Sequence, residues 1–132
     1  MAGVSNFWQR TTLRAWFLNT AFTPPATVYI GLFPADPGAD GTSASEITGN
    51  AYTRQACTFN NVPSSGTCGA MTNQAVTWSA ATGSWGTIAY IGLFDASTAG
   101  NFLGSVALTV SKLVGNGDTF RLPATNLSIA FS

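Results

Sequence analysis

Short apolar runs alternate with clusters of turn-forming residues along most of this 132-residue chain. Val, Ile, Thr and aromatic residues favour strands, whereas clusters of Gly, Pro, Ser and Asp favour turns. The runs that predict strands are 27–33, 52–59, 74–79, 87–94, 101–110, 119–122 and 126–131. About seven or eight short strands are typical of two packed sheets. We therefore predict one domain over residues 1–132, an all-β, jelly-roll-like two-sheet sandwich at 27–132 with a long loop at 34–51.

One helix is predicted ahead of the first strand, at residues 5–19, with Ser5 as its N-cap. The Thr23-Pro24-Pro25 sequence is expected to end this segment, because a residue before proline is pushed out of the helical region. The apolar arc of the helix is wide, since neighbouring aromatic residues point in adjacent directions. One side of it must pack on the sandwich, and the remainder is free to meet another chain. We predict a subunit interface there that uses Phe7, Trp8, Trp16 and Phe17.

The sequence Tyr-Ile-Gly-Leu-Phe occurs twice, at 29–33 and at 90–94. Two interpretations are open. The copies are either core strands with similar requirements, or pseudo-equivalent central strands of the sandwich. Gly31 and Gly92 lie in the middle of the runs, where glycine usually marks a bulge or a close approach of backbone.

A tight turn is predicted at Gly115-Asn116-Gly117-Asp118. Asn-Gly readily adopts the positive φ angles of a type I′ turn, which joins two strands of a hairpin. We therefore expect the strand at 101–110 to be followed by a hairpin partner at 119–122.

Charge is scarce in this chain, and its pattern excludes several partners. Charged residues make up 8% of the sequence, the net charge is zero and there is no histidine, whereas a typical domain is about 25% charged. Five scattered cations provide no track for phosphates, so no nucleic-acid partner is expected. No run of about 18 apolar residues is present, so no membrane partner is expected either.

The chain offers little that could support catalysis. Without histidine, a serine nucleophile would need Lys112 as its base, and the cysteines lack an imidazole partner. Asp36, Asp40 and Glu46 share one loop that resembles a calcium loop only weakly, because Glu46 comes one position early. A solvated loop with Asx-type turns is the favoured interpretation. We predict that the protein is not an enzyme and has no catalytic residues, metal or cofactor.

The cysteines and the tryptophans each have two open interpretations. Cys57 and Cys68 are either reduced and partly buried or joined by a disulfide that closes the loop between them.

The tryptophans either form a platform on which sugars stack or belong to the core, and the core is favoured because most aromatic residues of a sandwich are buried. The four are Trp8, Trp16, Trp78 and Trp85.

An ordered series of motifs resembles a widespread group of small tailed-bacteriophage virion proteins. The motifs are 23–33 (TPPATVYIGLF), 35–38 (ADPG), 49–55 (GNAYTRQ), 83–87 (GSWGT), 91–96 (IGLFDA), 101–103 (NFL), 107–108 (AL) and 115–119 (GNGDT). Members of the group are labelled tail-fibre or capsid decoration (cement) proteins. The resemblance implies a phage structural protein without catalytic residues. This chain departs from the group at Cys57 and Cys68, where small or aliphatic residues are more usual.

The position on the particle is inferred from size and pattern. The chain has no heptads and no repeat array that would form a fibre shaft. We therefore expect a capsid decoration protein that binds the assembled shell through the major capsid protein and stabilises it by mass action. The resemblance further implies a homotrimer. The N-terminus lacks the features of a signal peptide, so synthesis in the host cytoplasm and residence on the capsid surface of the virion are expected. The alternative is a receptor- or glycan-binding module of a tail or head fibre.

Overall fold

A computed structural model describes residues 3–59, 69–71, 75–123 and 128–130. The elements of these ranges are β1 (Gly3–Val4), α1 (Asn6–Phe17), β2 (Val28–Phe33), β3 (Gln55–Cys57), β4 (Gly69–Met71), β5 (Val76–Thr77), β6 (Gly86–Phe94), β7 (Phe102–Val114), β8 (Arg121–Leu122) and β9 (Ser128–Ala130). The prediction of a mostly β chain with one short N-terminal helix is confirmed for these ranges. They hold nine strands, against the seven or eight predicted.

The strands form antiparallel sheets. Five of them build the main sheet in the order β1-β7-β6-β2-β3, while β4 pairs with β9 and β5 pairs with β8. Val76 of β5 and Leu122 of β8 join the core on one face of the main sheet, so two β layers enclose that core. This arrangement is consistent with a sandwich, and jelly-roll connectivity stays a prediction.

The two Tyr-Ile-Gly-Leu-Phe copies are direct neighbours in the main sheet. β2 and β6 run antiparallel with Gly31 opposite Gly92, and the pairing extends on both sides from Tyr29–Phe94 to Phe33–Tyr90. A twofold relationship centred on the two glycines therefore exchanges one copy with the other. The interpretation as pseudo-equivalent central strands is confirmed, because both strands have neighbours on both edges.

Within each copy, successive side chains alternate between the two faces of the sheet. Ile30, Leu32, Ile91 and Leu93 lie in the main core. This core also holds Trp78 and Trp85, as the core interpretation of the tryptophans predicts, whereas that interpretation is wrong for Trp16, which is exposed. On the other face, Phe33, Phe94 and Phe102 form a second cluster. The centre of the sheet is thus covered on both faces, which explains why the last four residues of β2 and of β6 are all buried.

The central glycines make room for aromatic rings. A Cβ atom on Gly92 would lie 2.5 Å from Cε2 of Phe33. A Cβ atom on Gly31 would lie 2.6 Å from Oε2 of Glu46 and 2.9 Å from Cε2 of Phe94. Each glycine therefore accepts the phenylalanine of the opposite copy. The two rings stack with centroids 6.1 Å apart, and Phe102 packs edge-on against both.

The helix is shorter than the predicted span 5–19. Ser5 is its N-cap, as predicted, and its side chain accepts a hydrogen bond from the backbone N–H of Trp8. The helix ends at Phe17, well before Pro24, so the expected cause of its termination is wrong. Asn19 adopts a left-handed conformation with φ of 51°. A left-handed residue just beyond the last turn is a common helix ending, and asparagine tolerates it better than most residues.

The predicted type I′ hairpin at 115–118 is also wrong. The N–H of Asp118 bonds to the carbonyl of Gly115, so a tight turn is present, but only Gly117 has a positive φ, at 86°. A type I′ turn needs positive φ at both central residues. The turn leads from β7 to β8, whose partner is β5 rather than β7. The turn therefore carries the chain from the main sheet to the two-stranded sheet of β5 and β8.

Candidate functional site: the exposed face of the helix

The four aromatic residues predicted at a subunit interface lie on two different sides of α1. Phe7 and Trp8 are half-buried and pack against the main core. Trp16 and Phe17 point away from the domain and are 81% and 79% exposed. The 3.6-residue period of the helix explains the division, because Thr11 and Ala15 continue the inner side that Phe7 and Trp8 begin.

The outer side of α1 carries one stripe of exposed residues, which are large apolar side chains and two arginines. Arg10, Leu13, Arg14 and Phe17 follow the spacing i, i+3, i+4, i+7, which places them on one side of a helix. Trp16 extends the stripe past Leu13. We call these five residues the helix face. Large apolar side chains that are exposed together are typical of interaction sites.

The apolar surface continues into the segment after the helix. Leu18 and Phe22 are also exposed. Phe22 lines a cleft of about 350 Å³ together with Trp8, Pro24, Val28 and Leu103. Sequence reasoning missed Phe22, because it follows the helix and belongs to no periodic pattern.

Positive charge on the helix face is not balanced locally. The helix contains Arg10 and Arg14 and no acidic residue. In the part of the chain that the structure describes, the one ion pair joins Arg54 to Glu46. Arg10 and Arg14 are also four residues apart on one side of the helix, a spacing that makes like charges repel. The helix face is therefore apolar and basic at the same time.

The acidic residues of the long loop do not come together. Asp36 accepts a hydrogen bond from the N–H of Gly38, which confirms the predicted Asx-type turn, and Asp40 accepts one from the side chain of Asn6. Both side chains are exposed, whereas Glu46 turns inward. No cluster of His, Cys, Asp and Glu suited to a metal ion is found among the described residues.

Glu46 instead belongs to a polar cluster that fastens the loop to the sheet. Arg54 donates from Nε and Nη2 to the Glu46 carboxylate at 2.8–3.1 Å, and from Nη1 to the carbonyls of Ala96 and Ala99. The guanidinium carbon lies 3.5 Å from the ring centroid of Phe94. Sequence reasoning missed this cluster and assigned Glu46 to a solvated loop. The cluster holds the loop over the second aromatic cluster.

Tyr52 completes the polar cluster. Its hydroxyl donates to Glu46 Oε2 at 2.6 Å and accepts from the backbone N–H of Leu32 at 2.9 Å. Burial, reinforced by the hydrogen bond to Glu46, raises the pKa of Tyr52 well above its ordinary value. β3 pairs with only the Val28–Ile30 part of β2, so the N–H of Leu32 has no partner in β3. The Tyr52 hydroxyl accepts this hydrogen bond instead.

Cys57 carries a free, buried thiol whose Sγ donates to the carbonyl of Val28 at 3.4 Å. Burial raises the pKa of the Cys57 thiol to about 12, so little reactive thiolate is present near neutral pH. Cys68 lies outside the described residues, and the Cys57–Cys68 disulfide stays a prediction.

A second cleft lies at the other end of α1. It has a volume of about 330 Å³ and is lined by Phe7, Asp40, Phe94, Asn101 and Phe102, among others. The N–H of Asn6 bonds to the carbonyl of Ala39, which holds the acidic loop beside the start of the helix. The cleft therefore brings the exposed carboxylate of Asp40 next to the mostly buried rings of Phe94 and Phe102.

A small β domain that exposes a large aromatic helix face is typical of proteins that assemble with other subunits. The chain belongs to a family of phage fibre proteins: the family model described as "Podophage GP4 fiber I protein gp80" matches residues 3–130. No curated protein matches the chain. The resemblance to tailed-phage virion proteins is thus confirmed, and the family implies a structural role in the virion. None of the described helices is long and apolar enough to cross a membrane.

Proposed function

We propose that this chain is a structural module of a podophage fibre, held in the virion through its helix face. The match of the fibre family to residues 3–130 is the observation that carries this proposal. The fibre module was the alternative to capsid decoration in the sequence analysis. The family description favours the fibre, since it names a fibre protein and not a capsid component.

The helix face supplies the means of attachment. Full burial of a leucine or phenylalanine side chain stabilises an association by about 1.5–3 kcal/mol. Leu13, Trp16 and Phe17 are all available for such burial. Trp and Arg are also the residues enriched among those that dominate binding energy at interfaces. Attachment through this surface therefore combines apolar burial with polar contacts of the two arginines.

Self-association as a homotrimer remains part of the proposal. It is supported by the low charge of the chain, because a zero net charge favours association and suits a surface that neighbours cover. A capsid decoration protein would instead bind the major capsid protein. The two placements differ in copy number and in position on the particle.

Quantitative gel analysis of purified virions separates these placements. A fibre module should be present in far fewer copies than the major capsid protein, and antibody labelling should place it at a fibre. A copy number comparable to that of the shell subunits, with label over the whole capsid, would contradict the fibre proposal.

A variant tests the role of the helix face directly. Trp16→Ser combined with Phe17→Ser should leave the fold intact, because both side chains are exposed, and should reduce incorporation into virions. Leu113→Ser is the matched control, since Leu113 is 72% exposed but lies on β7. Equal incorporation of the two variants would show that the helix face is not the attachment surface.

A further inference from the structure

We propose that the helix face of one copy docks on the acidic loop of a second copy, where the acidic loop is residues 36–41. Phe17 enters the cleft beside Asp40, and Arg10 and Arg14 face Asp36 and Asp40 of that copy. This inference rests on the proposed function and deepens it, since it specifies the contact by which copies of the fibre module associate.

Charge disfavours the simplest alternative, a symmetric pairing of two helix faces. The helix contains two arginines and no acidic residue. Two such faces packed together would oppose arginine to arginine at a desolvated interface, which is unfavourable. The helix face therefore needs a surface that presents carboxylates next to an apolar depression.

The acidic loop is such a surface on the chain itself. Glu46 is held by Arg54, whereas the carboxylates of Asp36 and Asp40 meet only neutral donors among residues 3–59, 69–71, 75–123 and 128–130. Both are exposed and four residues apart on one loop. Two uncompensated carboxylates thus match two uncompensated guanidinium groups.

The cleft beside Asp40 provides the depression that Phe17 enters. Its walls include Phe7, Phe94 and Phe102, and its volume is about 330 Å³. Phe17 is three residues from Arg14 and seven from Arg10, so all three lie on one side of the helix. Arginines beside an exposed tryptophan, as on the helix face, are residue types enriched among those that dominate binding energy.

Phe17 cannot reach the acidic loop of its own molecule. Asn6, at the start of α1, is bonded to Ala39 and Asp40, whereas Phe17 ends the helix. A rise of about 1.5 Å per residue separates these ends by roughly 16 Å. A second copy can bring its acidic loop to Phe17 and Arg14, at the far end of the helix. The resulting head-to-tail contact joins two different surfaces, which is the kind of contact that a cyclic homotrimer requires.

Charge reversal of the purified full chain tests this contact, with the oligomeric state measured by sedimentation. Arg10→Glu with Arg14→Glu, or Asp36→Lys with Asp40→Lys, should weaken self-association by about ten-fold or more. The four substitutions together should restore it, because every contact then joins a negative helix face to a positive loop at unchanged net charge. Circular dichroism and thermal melting establish that each variant is folded.

Lys112→Glu with Arg121→Glu is the control for a general effect of charge, since both side chains are exposed on β7 and β8. This variant should associate like the wild type. A wild-type chain that stays monomeric, or a fourfold variant that associates no better than either double variant, would overturn the proposed contact.

The outcome is distinguishable from a failure of the proposed function. If Trp16→Ser with Phe17→Ser lowers virion incorporation while the charge reversals leave self-association unchanged, the helix face binds another virion protein. That result overturns the contact between copies and leaves the fibre role intact. A copy number equal to that of the shell subunits would instead contradict the fibre role.

Discussion

Gly31 and Gly92 face each other at the centre of the main sheet, and each accepts the phenylalanine ring of the opposite repeat. Phe94 lies over Gly31, and Phe33 lies over Gly92. The second aromatic cluster can form on this face only because both positions lack a side chain. The glycines of the repeat are therefore required for packing, and neither of them needs an unusual backbone conformation, since neither has a positive φ.

Gly92→Ala should lower the free energy of unfolding by about 1–3 kcal/mol, as other overpacked core sites do. The added Cβ atom would lie 2.5 Å from a ring carbon of Phe33. Gly115→Ala is the control, because its Cβ atom would meet Asp118 at an ordinary 3.4 Å. Denaturant unfolding of both variants measures the difference, and equal stabilities would contradict the packing role of Gly92.

The same site allows a test of coupling. Phe33→Leu removes the ring that a Cβ atom on Gly92 would meet. Phe33→Leu combined with Gly92→Ala should lower the free energy of unfolding by less than the sum of the two single effects. The difference should be about 0.5–3 kcal/mol, because the effects of changes at residues in contact are not additive.

Arg54→Met should lower the free energy of unfolding by about 2–5 kcal/mol, because it leaves the largely buried Glu46 carboxylate without its cationic partner. The side chains of Arg54 and Glu46 are only 10% and 18% exposed. Arg54→Lys should recover only part of the loss, since an ammonium group cannot make the paired bonds of a guanidinium. Arg121→Met, at an exposed position, serves as the control.

A double-mutant cycle with Glu46→Gln isolates the pair itself. The double variant should be more stable than the sum of the single effects predicts. If the effects of Arg54→Met and Glu46→Gln are strictly additive, the stabilising role of Arg54 comes from its contacts with Phe94 and the two carbonyls.

Tyr52→Phe should lower the free energy of unfolding by about 1–3 kcal/mol, the usual result of leaving a buried backbone donor unpaired. The change removes the acceptor of the Leu32 N–H and a donor to Glu46. Tyr29→Phe is the matched control, since its position on β2 is only half-buried. Similar stabilities of the two variants would show that the Tyr52 hydroxyl contributes little.

Stability should fall as the pH rises above about 9. The pKa of Cys57 is raised from 9.0 to about 12 by burial, and the pKa of Tyr52 is raised above 10.0. Because the folded state favours the neutral form of these groups, their pKa is higher in the folded chain than in the unfolded chain. Their contribution to the stability of the fold is complete below the pKa of the unfolded chain. It is lost as the pH rises toward the pKa of the folded chain.

Unfolding measurements between pH 7 and pH 11 check this dependence. In a Cys68→Ser background, Cys57→Ala should reduce the slope of stability against pH above about pH 9. An unchanged slope would mean that the Cys57 thiol does not titrate differently in the folded and unfolded chains.

Elements with strong local signals could be predicted from the sequence. Ser5 is found as the N-cap because a capping hydroxyl acts within three residues of its own position. Alternation at 75–78 correctly separates the buried Val76 and Trp78 from the exposed Ala75 and Thr77. The duplicated pentapeptide indicates two central strands, although the sequence does not say that they pair with each other.

Features that depend on distant parts of the chain could not be predicted. The sheet partner of β8 is β5, more than forty residues earlier, so the turn at Gly117 alone cannot reveal it. Glu46 and Arg54 meet only because the long loop folds back over the sheet. The helix pattern shows a wide apolar arc, but the packing of the domain decides that Phe7 and Trp8 face inward and Trp16 and Phe17 outward.

The symmetric pairing of the duplicated strands has a consequence for folding at high concentration. A segment that pairs with its own copy in antiparallel register is self-complementary, so the pentapeptide in β2 of one chain can pair with that in β2 of another just as it pairs with its intended partner in β6. Chains that expose these strands before the long loop closes over them would therefore cross-pair between molecules. Slow dilution out of denaturant should give more native protein than refolding at high concentration.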